Sequence, residues 1–344
     1  MQEFVDALPL PAVIVGSSEK LEVANTPAVE LLGRGVVGRH YISSFRQPVL
    51  LDAIEQVLRD QTPRTARYLT TEARRDKTFL VHIAPVGKLD GILISFEDQT
   101  AMEEAGTMRR DFVANVSHEL RTPLTALIGF IETLRGAAKN DPAAQARFLE
   151  IMDREASRMN RLVEDLMSLN RVEATERIRP SEDVDFAAIV RSVIHALAPL
   201  AQERQITISQ FGIEDEVHLP GDADQIAQVV TNLVENALKY AGTGKQIHVK
   251  MECEENHPMI RGAAAILSVK DNGEGFDPTL IPRLTERFFR IDGHRSRELG
   301  GTGLGLAIVK HIVNRHRGRL RIESALGQGS VFTVILPLEN PKQA

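Results

Sequence analysis

A chain of 344 residues, 43% hydrophobic and 26% charged, is a globular protein too long for one ordinary domain, so two or three domains are expected. A net charge of -6 with no Trp and three Tyr argues against a nucleic-acid binder, and the lone Cys253 excludes a disulfide framework or a multi-cysteine metal site. No run approaches the roughly 18 to 20 apolar residues of a membrane span, and the apolar stretch from Ala7 to Val15 is broken by Pro9 and Pro11 without a basic lead-in, so the chain as given is expected in the cytoplasm.

Residues 1–98 alternate short strand-like and helix-like pieces. Ala12–Val15 and Leu21–Ala24 read as strands, Asn25 as the cap of a helix ending near Leu32, and Pro48–Arg59 as a helix. Thr65–Thr71, Thr78–Ala84 and Gly91–Phe96 are β-rich runs between polar turns, which completes a small α+β domain.

From about Met102 to Arg135 one helical stretch carries Val113, Val116, Leu120, Leu124, Leu127, Ile131 and Leu134 at spacings of 3, 4, 4, 3, 4 and 3. Gly136 ends it, and Asp141-Pro142 caps and opens a second helix with Met152, Ala156, Met159, Val163 and Leu166 at the same seam spacing. Such a hairpin over 99–172 buries too little alone and is expected to form half of a dimeric four-helix bundle. Periodicity by itself also fits a signalling coiled coil without chemistry.

On a wheel of about 100° per residue the seam residues fall within about 80°, and His118 points roughly 150° away, towards water. Thr122 shares that outer face and Glu119 flanks it. An isolated exposed histidine is ordinarily a solvated surface residue, but a neighbouring carboxylate can accept its Nδ1–H and leave Nε2 nucleophilic. Pro123 removes its own amide donor and crowds the carbonyl of Glu119, so a bend is expected at this point. Ser117-His118-Glu119-Leu120-Arg121-Thr122-Pro123-Leu124 resembles the phospho-acceptor box of sensor histidine kinases, a resemblance that runs from about Arg110 to Leu338. The resemblance implies that His118 accepts the γ-phosphoryl group of ATP and passes it to an aspartate of a response regulator. Glu119 would be its base or orienting carboxylate, and Thr122 would serve dephosphorylation of the regulator.

Residues 181–340 read as an α/β sandwich, with helices at Phe186–Glu203 and Asp222–Ala241, strands at Gln246–Glu252 and Ala264–Asp271, a helix from Gly303 to about Arg317 capped by Gly318, and two closing strands. Asn232, Asn236 and Lys239 share one helix face at i, i+4 and i+7, opposite an apolar stripe of Ile226, Val229, Val230, Leu233 and Ala237. Two amides and an ammonium suit a Mg²⁺-bound polyphosphate, although a helix fragment of this kind is also the pattern of a solvated face. Asp271-Asn272-Gly273-Glu274-Gly275 follows an apolar strand, where a carboxylate could accept from an adenine amino group and the backbone lie close to the base. Gly300-Gly301-Thr302-Gly303-Leu304-Gly305-Leu306 opens a helix and offers amide N–H groups to phosphate, but its spacing is that of neither a dinucleotide fingerprint nor a P-loop. Gly327-Gln328-Gly329-Ser330 is a tight turn.

In this order the motifs resemble the N, G1, G2 and G3 boxes of the histidine-kinase ATPase domain, and Glu286-Arg287-Phe288-Phe289-Arg290 resembles its F box in the lid over ATP. The resemblance implies ATP and Mg²⁺ as cofactors, Asn236 as the metal ligand and Asp271 as the adenine reader. Asn232, Lys239, Tyr240, Gly273, Gly275, Arg290, Gly301, Thr302, Gly303, Leu304 and Gly305 would be the further nucleotide contacts. His294 and Arg295 are expected to be solvated, and a hinge around Val172–Pro180 is expected to bring His118 to the nucleotide.

The topoisomerase and chaperone ATPases that share this fold carry a hydrolytic Glu where this chain has Asn232, and Glu235 is expected on another helix face. A non-catalytic scaffold or a phosphatase-dominant member is the other alternative. By strand order the first domain resembles a PAS sensor domain. It has no cysteine for a flavin adduct, and His40 and His82, which could ligate haem, are expected to be structural or surface residues, so no cofactor is expected there. The acceptor box with a PAS upstream is similar to the phosphate-regulon type of sensor kinase. Partners are then a second copy and a cognate response regulator, and no nucleic acid.

Overall fold

The computed structural model describes residues 2–72, 75–87, 91–242, 244–291 and 301–339, and the chain divides into two units, 1–114 and 115–344. In the first unit α1 (Gln2–Asp6), β1 (Ala12–Val15), β2 (Leu21–Ala24), α2 (Thr26–Leu32), α3 (Tyr41–Ser44), α4 (Pro48–Asp60), β3 (Arg64–Glu72), β4 (Arg75–Val86) and β5 (Gly91–Asp98) follow in order. The five strands form one antiparallel sheet in the order β2-β1-β5-β4-β3. Leu50, Ile54 and Val57 of α4 share a core with Val81, Ile83, Ile94 and Phe96 of the sheet, the i, i+4, i+7 stripe meeting the inward positions of alternating strands. A smaller cluster joins Val5 of α1 to Ala12, Ile14 and Val23.

Asn25 does more than cap α2. Fully buried, its Oδ1 accepts from the amides of Ala12 (2.9 Å) and Ala28 (3.0 Å), and its Nδ2 donates to the carbonyls of Val5, Leu8 and Leu10, so one amide satisfies the strand entry and the α1 turn together. His40 N-caps α3 and pairs with Glu19 at 3.0 Å, and His82 pairs with Glu97 at 3.3 Å.

Helix α5 (Thr100–Arg135) runs unbroken through Pro123, and α6 (Pro142–Thr175) begins at the expected cap, where Asp141 Oδ1 accepts from Ala143 and Ala144. Within the single chain the seam is incompletely covered: Leu124, Ile131 and Val163 are exposed, and Val116, Leu120, Leu127 and Leu166 half-buried. The fully buried residues of α6 are instead Leu162, Leu169 and Val172, a second stripe at i, i+7 and i+10 that the sequence reading passed over. Helix α6 packs against the last helix of the C-terminal α/β domain.

That domain comprises β6 (Glu182–Asp185), α7 (Phe186–Glu203), β7 (Thr207–Phe211), β8 (His218–Gly221), α8 (Ala223–Tyr240), β9 (Gln246–His257), β10 (Gly262–Asp271), a 3-10 turn (Pro278–Arg283), α9 (Gly305–Arg315), β11 (Arg319–Ala325) and β12 (Gly329–Pro337). Its sheet has the order β11-β12-β10-β9-β7 with β7 parallel to β9, and β6 pairs with β8 in a separate ribbon. Helices α7, α8 and α9 form the second layer, α8 packing on both other helices and on β10. The left-handed residue that ends α9 is Arg317 rather than Gly318, whose amide returns to the carbonyl of Val313 at 2.8 Å.

His316 locks α9 to the start of α8. The ring is buried, Nδ1 donates to the carbonyl of Ile312 (2.8 Å), and Nε2 accepts from the amide of Asp222 (3.1 Å), which fixes the neutral tautomer. Burial holds its pKa below the ordinary histidine value of 6.5, with Arg315 adding to the effect. A lowered folded pKa means that the unfolded chain takes the proton first, so this contribution is present above about pH 6.5 and is lost as pH falls below it. The melting temperature of the wild type should therefore fall further between about pH 7.5 and about pH 5.5 than that of His316→Gln, whose side chain does not titrate, and at neutral pH the variant should lose about 1 kcal/mol.

Candidate active site

Helix α8 begins where Asp222 Oδ1 accepts from the amide of Gln225, and its apolar stripe, Ile226, Val229, Val230, Leu233 and Ala237, is buried against the domain core. The opposite face is turned into a cavity of about 780 Å³, which Asn232, Asn236, Lys239 and Tyr240 line. Glu235 lines it too, contrary to its expected placement on another face, because three residues from Asn232 is less than one turn. Its carboxylate accepts from Lys239 Nζ at 2.8 Å.

Asp271 enters the cavity from the end of β10, 3% exposed, its Oδ1 accepting from the amide of Gly273 at 2.8 Å. Burial raises its pKa, opposed by the hydrogen bonds from the Gly273 and Ser330 amides. Gly275 holds φ +62°, and a Cβ there would lie 2.1 Å from the Ala325 carbonyl oxygen, so the chain closes on itself beside the carboxylate. The loop before α9 supplies Gly301, Thr302, Gly303 and Gly305, and the lid supplies Phe289, Arg290 and Ile291. Lid and loop are joined by a hydrogen bond from the amide of Phe288 to the Gly303 carbonyl (2.8 Å); Gly303 itself, at φ +75°, would bring a Cβ within 2.9 Å of Phe288 Cα. Gly273 and Leu304 stand behind the lining, Leu304 fully buried with its amide on Thr302 Oγ1 at 3.2 Å. Gly300, His294 and Arg295 lie outside the described residues.

His118 and Thr122 lie on the exposed face of α5, and the Thr122 hydroxyl donates to the His118 carbonyl at 3.2 Å. Glu119 faces the other way. Its Oε2 accepts from Arg158 Nη2 on α6 and from Arg290 Nη2 of the lid, both at 3.0 Å, with the two guanidiniums 13% and 8% exposed. The lid arginine thus reaches the residue next to the candidate acceptor.

Helix α6 contributes residues that the sequence reading did not select. Arg161, Glu164 and Asp165 line the cavity, and the Thr302 hydroxyl donates to Asp165 Oδ2 at 2.6 Å. Ser168 donates to Gln228 Oε1 at 2.8 Å and Glu173 pairs with Arg287. Their signal was the second apolar stripe of α6, which marks which side of the helix meets a neighbour. The expected hinge at Val172–Pro180 is fastened in this arrangement: Arg315 Nε donates to the carbonyls of Thr175 (3.2 Å) and Ile178 (3.1 Å), His311 Nδ1 lies 3.0 Å from Glu176, and Arg179 donates to the carbonyl of Glu339 (3.2 Å).

Comparison with known proteins places these elements. Residues 108–175 match the family model of the His Kinase A phospho-acceptor domain, and residues 221–340 that of the histidine kinase-, DNA gyrase B- and HSP90-like ATPase. The chain is 35% identical over 336 residues to the phosphate regulon sensor protein PhoR of Pseudomonas aeruginosa, covering 97% of this chain and 73% of that protein. It is 31% identical over 326 residues to the sensor histidine kinase WalK of Bacillus subtilis, where it spans 93% of this chain but only 52% of the relative. The solved Acinetobacter baumannii histidine kinase AdeS superposes with a TM-score of 0.50 at 26% identity over 65% of this chain and 98% of that one. Histidine kinase ThkA, solved in complex with the response regulator TrrA, shares the fold along the whole of both chains with a TM-score of 0.54 at 21% identity. The chain therefore belongs to the sensor histidine kinases of two-component systems and is an ATP-binding histidine protein kinase.

Proposed function

We propose that His118 is the phospho-acceptor of this kinase and that the cavity between α8, β10, the lid and the loop before α9 holds the ATP that supplies its phosphoryl group. The observation that carries this reading is the 3.0 Å contact between Arg290, which lines the cavity, and Glu119, the neighbour of His118. Asp271, anchored at the cavity wall, receives the adenine amino group, and Lys239 and Arg290 meet the phosphates as cations. The amide oxygen of Asn236 and the carboxylate of Glu235, both hard donors lining the cavity, fit a Mg²⁺ ion held jointly with phosphate oxygens. Bound there, the ion would neutralise charge on the transferring group. In the transfer itself Nε2 of His118 attacks the γ-phosphorus, the bond to the bridging β-phosphate oxygen breaks, and ADP leaves; positioning and charge neutralisation do most of the work.

Three functional domains follow: 1–98 as a PAS-type sensor, 99–172 as the dimerising acceptor hairpin, and 181–340 as the ATP-binding domain. The similarity to PhoR along 97% of the chain supports the phosphate-regulon type of kinase. The exposed face of His118 and Thr122 would meet the aspartate of a response regulator, with Thr122 positioning water for the reverse hydrolysis. Among the described residues no helix is long and apolar enough to cross a membrane. The exposed Leu124, Ile128 and Ile131 on α5 are the surface that a second copy would cover in a four-helix bundle.

Incubation with γ-labelled ATP and Mg²⁺ should give acid-labile, alkali-stable label on the wild type and none on His118→Ala or Asn236→Ala; label retained in His118→Ala would place the acceptor elsewhere. Sedimentation should find the wild type dimeric and the double variant Leu124→Glu/Ile131→Glu shifted to monomer, with ATP binding intact. A wild-type chain that sediments as a monomer would remove the bundle.

A further inference from the structure

Asp165 occupies the phosphate side of the nucleotide cavity, although it belongs to the acceptor hairpin. Its Oδ2 accepts the hydroxyl proton of Thr302, at 2.6 Å, within the glycine loop that opens α9. Lys239 faces the carboxylate with attraction, while Glu164 and Glu235 face it with repulsion. Two turns earlier on the same helix, Arg158 holds Glu119, which in turn holds Arg290. Two carboxylates of the hairpin thus take up Thr302 and Arg290, both of which line the cavity. A carboxylate that accepts a hydroxyl beside a lysine repeats, with less charge, what a terminal phosphate would do in the same place.

We propose that Asp165 is an intramolecular competitor of the nucleotide's terminal phosphates, holding Thr302 until a triphosphate displaces it. This rests on the assignment of the cavity to ATP. The competition is electrostatic: phosphate brought beside Asp165 and Glu164 raises the local negative charge, and the carboxylate leaves with its helix. Burial disfavours its charged form, against the hydrogen bond from Thr302 and the attraction of Lys239, so release to water relieves that cost. While the contact is closed, the nucleotide's apparent affinity is reduced by the fraction of chains in which Thr302 is free. Asp271, the proposed adenine partner, enters the cavity from β10 and bonds to the Gly273 amide rather than to Asp165 or Thr302, so the penalty falls on ligands with phosphates.

The test is calorimetric titration of the full chain with adenosine, ADP and the β,γ-imido analogue of ATP in the presence of Mg²⁺. It compares the wild type with Asp165→Ala, which removes the contact, and Asp165→Asn, which keeps its shape without the charge. Both variants should bind the triphosphate analogue about five- to tenfold more tightly than the wild type. ADP should gain less, and adenosine should bind as before. Equal tightening of all three ligands would make Asp165 a docking strut and overturn the competition, as would unchanged affinity for the triphosphate. If the wild type and both variants bind none of the three ligands, it is the assignment of the cavity to ATP that fails.

Discussion

One oxygen atom carries the arrangement of the catalytic unit. Oε2 of Glu119 lies 3.0 Å from a guanidinium of its own hairpin and 3.0 Å from a guanidinium of the nucleotide lid, with all three side chains mostly out of water. Separating Arg290 from this carboxylate leaves a buried cation uncompensated unless another anion replaces it at once. A nucleotide triphosphate is such an anion, and Arg290 already lines the cavity that would hold it. On the proposed assignment the contact exchanges with the reaction's own charge, and the docked state would open without stranding a charge.

The same constraint explains why α6 carries two apolar stripes. Leu162, Leu169 and Val172 are buried within the single chain, whereas Val163, one position along from Leu162, is 46% exposed on the seam side. A helix apolar on two sides needs two neighbours. In the proposed dimer one stripe serves the bundle and the other the nucleotide domain, so a rotation of α6 that improves one contact alters the other. A small helix movement would thereby become a choice between docked and released states, as expected where packed interfaces are bistable rather than elastic.

Elements were legible in the sequence wherever periodicity and capping agreed. Asp141-Pro142 marked the start of α6, Phe186–Glu203 was recovered as a helix, and the five strands of the first unit were placed within a few residues of their ends. The cavity lining on α8 and β10 was legible because each group lay in a short motif with its own chemistry. Arg158, Asp165 and Glu173 were not. Each is a charged residue on a helix whose charged residues are mostly solvent-facing, and only the position of the nucleotide domain separates these from the rest. Glu235 differs from expectation for a simpler reason: at i+3 from Asn232 it lies on the same helix face as the i+4 residue Asn236. The left-handed Arg317 was hidden by the neighbouring Gly318, the residue type usually found in that conformation. Here the glycine is needed for space, a Cβ lying 2.5 Å from the Ile335 carbonyl oxygen.

Coupling between the docking contacts and the nucleotide must run in both directions. If bound phosphate weakens the hold of the hairpin on Thr302 and Arg290, then weakening that hold from the hairpin side strengthens nucleotide binding by the same factor. A signal need not reach the cavity to be felt there; it has only to shift the hairpin enough to lengthen the contacts at Asp165 on α6 and Glu119 on α5. The fastened segment after α6 sharpens this effect. With Arg315 bonded to the carbonyls of Thr175 and Ile178, the end of α6 is tied to α9, whose first turn follows the glycine loop. Motion of the upper part of α6 relative to its fastened end is then felt at the loop, the place where a charge-charge competition is most sensitive to distance.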